Sequence, residues 1–72
     1  MTPQHLELLR DLLSVCDSFD ILEREEAIRL TIRPSQYHEE DAKSLSNAAW
    51  IRSHRWRLRA EALRDLLAEQ SP

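Results

Sequence analysis

Four side chains in this 72-residue sequence could supply reactive or ligating groups: Cys16, His5, His38 and His54. A cysteine attacks as its thiolate, which needs a base or cation nearby to lower its pKa. Cys16 instead continues a helical row of Leu6, Leu9 and Leu13, where cysteine behaves as a small hydrophobe. His38 and Asp41 share one helical face and could offer two metal ligands. Structural zinc takes four, mostly from cysteine and histidine, and the other histidines lie far away in sequence. The run Glu39-Glu40-Asp41 is accounted for as the first turn of a helix, where acids meet the positive end of the dipole. The sequence contains no glycine, which removes the residue that phosphate-cradling loops and dinucleotide-binding turns depend on. The expectation is therefore no catalytic residue, no metal, no cofactor and no enzymatic activity.

The remaining chemistry is recognition. The net charge of −3 conceals a polar distribution: residues 42–60 carry Lys43, Arg52, Arg55, Arg57 and Arg59 with no acid, whereas residues 1–41 are strongly acidic. Trp50 and Trp56 stand among these arginines. Tryptophan and arginine are enriched at interface hot spots. On a helical wheel Arg52 and Arg59 share a side with Leu45, Trp56 and Leu63, so they are expected to pair with acids such as Asp11, Glu23 or Glu25 and set helix register. Arg57 and Arg64 fall on another side near Trp50. Trp50, Arg57 and Arg64, with Arg55 and His54, form the expected partner-binding set, and the expected partner is a protein with an acidic surface. The alternative is a dimeric nucleic-acid-binding regulator using Arg52, Arg55, Arg57 and Arg59. A pI near 5.5 weighs against it, because such domains are usually basic.

The elements that must carry these residues are helices. Thr2 can cap a helix and Pro3 suits its first turn. Two apolar rows follow, Leu6, Leu9, Leu13, Cys16 and Leu8, Leu12, Val15, Phe19. Together they cover about half the circumference, which implies burial against two neighbours. At Asp17-Ser18-Phe19-Asp20 the pattern shifts, and Asp20 with Glu23 resembles a capping box that restarts the helix at Ile21. Residues 28–33 alternate apolar and polar, so both helix and strand are open for them, a strand requiring a second subunit to pair with. Pro34 ends this arm, and Ser35 can cap the next helix. That helix is expected to run to Glu69, with a weak point at Ser44–Asn47 and a stripe of Ala42, Leu45, Ala49, Trp56, Ala60, Leu63 and Leu67, widened by Ala48 and Leu66.

These readings combine into one all-α domain spanning residues 1–72. It is a small helical hairpin: a broken N-terminal arm over 3–33, a turn at 34–36, and a long helix over 37–69. The expected structural or dimer core is Leu9, Leu12, Leu13, Phe19, Leu45, Trp56, Leu63 and Leu66. A chain of this size buries only about 60% of its unfolded surface, and one cysteine permits no internal disulfide. Dimerisation into a helical bundle is the remaining source of stability. The N-terminus lacks the basic and apolar regions of a signal peptide, and no stretch approaches a membrane span, so a cytoplasmic location is expected. The expected function is a small non-enzymatic protein-binding module, an adaptor, chaperone or inhibitor of a larger protein, acting through its last helix.

Overall fold

The computed structural model describes residues 1–32 and 38–70. They form α1 (Pro3–Ile32) and α2 (Glu39–Gln70), packed against each other as a helical hairpin with no strand among the described residues. The expected turn at 34–36, the Ser35 cap and Arg33 lie outside the described residues. The molecule is a rod of 52 × 15 × 13 Å.

Thr2 caps α1 as its sequence position predicts. Its Oγ1 accepts the His5 backbone N–H at 3.2 Å, and its carbonyl accepts that of Leu6. At the start of α2 the His38 carbonyl accepts the Ala42 N–H, and Glu39, Glu40 and Asp41 occupy the first turn.

Two expectations about continuity need correction. The N-terminal arm is not broken: α1 runs uninterrupted through Asp17–Asp20. Ser18 returns its hydroxyl to the Ser14 carbonyl at 2.9 Å, and Asp20 points across the hairpin instead of capping a new helix. The polar signal at Asp20 thus reflects a tertiary contact and not a chain end. Residues 28–32 are helical, which removes the strand alternative there. The weak point expected at Ser44–Asn47 is also absent, because Ser46 is buried and donates to the Ala27 carbonyl on α1 at 3.1 Å. Thr31 reaches the same carbonyl and sits 3.0 Å from Ser46 Oγ.

The seam between the helices follows alternating three- and four-residue steps. On α1 it is Leu6, Leu9, Leu13, Cys16, Asp20, Glu23, Ala27 and Leu30; on α2 it is Ala42, Ser46, Ala49, Ser53, Trp56, Ala60, Leu63 and Leu67. None of these is exposed, and burial is greatest at the small residues, with Ala27, Ala49 and Ser53 at zero exposure. A strict heptad keeps one face in contact along two supercoiling helices. Small side chains at the contact set the axes close together. The expected α2 stripe therefore needs revision: Ser46 and Ser53 belong to the seam, whereas Leu45 is 41% exposed.

Candidate interaction surface

The two flanks of this seam differ in chemistry. On one flank the hairpin is tied by charge. Asp20 is buried and accepts hydrogen bonds from the Ser53 hydroxyl, from Arg24 at 2.9 Å and from Arg57 Nε at 3.4 Å. Burial pushes the Asp20 carboxyl up, but the bonds from Ser53, Arg24 and Arg57 outweigh it and hold the group below its usual 3.8. One step toward the open end, Arg64 grips both oxygens of Asp17 at 2.7 and 2.8 Å. Both bonds come from one guanidinium nitrogen, Nη2, so the contact is bifurcated. Toward the turn, Trp50 is 41% exposed and borders an open groove of about 600 Å³ that it shares with Leu30, Thr31 and Asn47.

The opposite flank is apolar and unpartnered. Leu8, Leu12, Val15, Phe19 and Leu22 succeed one another at three- and four-residue spacing, so they lie in a row along one side of α1. Each is 42–57% exposed. Phe19 stacks on Trp56 with ring centroids 4.8 Å apart, and the Arg59 guanidinium lies 4.5 Å over the same tryptophan. At the open end Met1, His5, Leu8, Leu9, Leu66 and Gln70 line a shallow recess. Ile21 and Ile28 on α1 and Ile51 and Leu58 on α2 are also exposed; each pair shares a face at seven-residue spacing, without the intervening apolar residues that make Leu8–Leu22 a continuous row.

This arrangement redistributes the residues singled out from sequence. Arg57 and Arg64 were expected to face a partner; they face Asp20 and Asp17 of α1 instead, because the acidic helix supplies carboxylates directly across the seam. Arg55 and His54 are exposed; His54 follows Trp50 by one turn and neighbours it on α2, whereas Arg55 lies round toward the other flank, so the expected set of Trp50, Arg57, Arg64, Arg55 and His54 is brought together only in part. Arg52 does pair as expected, with Glu23 at 2.9 Å. Among the expected core residues, Leu9, Leu13, Trp56, Leu63 and Leu66 are half-buried, whereas Leu12, Phe19 and Leu45 are exposed. A stripe wide enough for two neighbours meets only one here. Asp20 and Ser53 were overlooked as a site; their signal was the heptad spacing of Ala42, Ser46, Ala49, Ser53 and Ala60.

Among the described residues no cluster of three or more histidines, cysteines or acids could hold a metal ion. No helix there is long and apolar enough to cross a membrane. The sequence matches no protein-family model, and neither the curated proteins nor the solved structures provide a match.

Proposed function

We propose that this chain is a non-enzymatic protein-binding module, an adaptor, chaperone or inhibitor type of protein, whose docking face is the apolar flank of α1. The observation that carries this reading is the row Leu8, Leu12, Val15, Phe19 and Leu22, each 42–57% exposed. A contiguous apolar row on a small hairpin marks an interaction site more often than a free surface. The aromatic pair and Arg59 beside it add the residue types that dominate binding energy. Dimerisation into a bundle would use the same flank.

Affinity capture with the wild type and a Leu12→Ser/Val15→Ser double variant tests the assignment. The variant's fold is checked by circular dichroism. The reading expects protein partners held by the wild type to be lost from the variant. Equal recovery of the same partners by a folded variant would remove the flank as the docking face. Nucleic-acid binding has less support, since Arg52 and Arg57 of the basic segment are bonded to Glu23 and Asp20. A duplex titration near ~50 mM salt, where phosphate contacts bind most strongly, checks that alternative.

A further inference from the structure

We propose that the apolar flank is occupied by a second copy of this chain, giving a parallel-axis twofold four-helix bundle held in register by Arg55 and Arg59 of one copy against Asp11 and Glu25 of the other. The inference rests on the reading of this flank as a protein-docking face and names its occupant.

Area is the first argument. A folded monomer of 8.5 kDa is expected to expose about 4,700 Å², yet the chain exposes 5669 Å². The surplus, about 1,000 Å², is comparable to the roughly 800 Å² each partner gives up in an interface of standard size. The apolar row spans Leu8 to Leu22, about 21 Å of helix, a little under half the length of the 32-residue α2 that would lie along it.

Charge supplies the second argument and selects the occupant. Three arginines of α2 are bonded to α1: Arg52 to Glu23, Arg57 to Asp20 and Arg64 to Asp17. Among the described residues no acid pairs with Arg55 or Arg59, and both border the apolar flank on the α2 side. On the outer edge of the same row, at the next helical positions, stand Asp11 and Glu25, both exposed and with no cation bonded to them among the described residues. One edge of the flank is thus basic and the other acidic. A surface that matches itself about a twofold running along the helices needs this pattern, because that axis sets each edge against its opposite on the partner.

The geometry also selects the axis. A twofold across the helices would lay α2 on α2 and face arginines with arginines. A twofold along the helices lays each α1 row on the other copy's α2. The hairpin register, fixed by Phe19 on Trp56 and Asp20 on Ser53, puts Arg59 level with Val15 and Arg55 level with Phe19 or Asp20. Arg59 then stands about four residues from the level of the partner's Asp11, and Arg55 about five from that of its Glu25. Five residues of helix are about 8 Å, a span an arginine side chain covers while its stem packs on the row.

Light scattering on the eluting full chain, with charge-reversal variants, tests this. The wild type is expected at twice 8.5 kDa. Arg55→Glu/Arg59→Glu and Asp11→Lys/Glu25→Lys should each weaken self-association at least tenfold. An equimolar mixture of the two should recover a dimer, since each reversed edge then meets its opposite. These changes alter exposed positions only, and Leu12→Ser/Val15→Ser offers an independent monomeric variant. A wild type that stays monomeric at high-micromolar concentration would overturn the proposal. So would a dimer indifferent to both reversals, or one not restored by mixing. A monomer that still loses captured partners in the Leu12→Ser/Val15→Ser variant would leave the docking reading standing and discard only the second copy.

Discussion

The two flanks of one short seam solve opposite problems. Along the Asp17, Asp20, Arg57 and Arg64 side, both carboxylates are answered from within the chain, Asp20 by Ser53, Arg24 and Arg57 and Asp17 by Arg64. Along the Leu8–Leu22 side, apolar groups are left without an answer. Both flanks belong to the same pair of helices, with the same length and propensity. The difference is one of coverage: polar side chains tie the helices together along one flank, whereas α2 leaves the apolar row of the other uncovered.

The largest test of this contrast is Asp20→Ala, which leaves Arg57, Arg24 and Ser53 facing a void. Losing the hydrogen bonds that Ser53, Arg24 and Arg57 give this buried carboxylate costs on the order of 3 kcal/mol, so urea unfolding should show a loss of that size. The same carboxylate predicts acid sensitivity. Its pKa is lowered on folding, so its stabilisation is complete above the ordinary value of 3.8 and disappears as pH falls through the lower, folded value. An Asp20→Asn variant should lack that component in a pH series of unfolding curves.

A smaller effect is expected at the seam. Ala49→Leu places a larger side chain where no space exists, since Ala49 has zero exposure, and should cost about 2 kcal/mol. On the apolar flank the expectation reverses. At concentrations low enough for a lone hairpin, Leu12→Ser/Val15→Ser should unfold within about 1 kcal/mol of the wild type. The gap should widen as concentration rises, because association stabilises only the wild type. A large, concentration-independent loss would show that the flank is part of the hairpin's own core and would dissolve the contrast. The smallest change belongs to Arg64→Gln, whose ion pair with Asp17 is half-exposed at both ends. Such pairs contribute about 0–1 kcal/mol, so thermal melting should move by a few degrees at most.

Most of the fold was legible before any coordinates. Absence of glycine, the Thr2-Pro3 start and the apolar rows pointed to a helical hairpin, which is present, although its first arm was expected to be broken and is continuous. What misled was the meaning of polar residues inside those patterns. Asp20 carries a strong capping signature, and nothing local distinguishes a capping carboxylate from one that reaches a serine 33 residues away. Ser46 and Ser53 read as breaks in a stripe, although a close-packed seam favours small side chains and can use their hydroxyls. The candidate site was less legible for a related reason. A helical wheel places Arg57 and Arg64 off the apolar stripe, but only tertiary register reveals that Asp20 and Asp17 stand opposite them. The excess width of the first helix's stripe was visible; that the second helix covers just one of its two rows was not.

The register also sets the order in which the hairpin can close. Cross-seam partners grow steadily more distant in sequence from the turn outward: 19 residues for Ser46 with Ala27, 33 for Ser53 with Asp20, 47 for Arg64 with Asp17. Each contact formed shortens the loop the next one must close, so assembly from the turn is the inexpensive route, like a zip. The open end, where Leu8 and Leu66 line one shallow recess, closes last and opens first, and its amides should exchange with solvent soonest. The apolar row extends into that fraying end. On the proposed docking, a partner seated on the row would also hold that end closed, and slower exchange of its amides would report the occupancy.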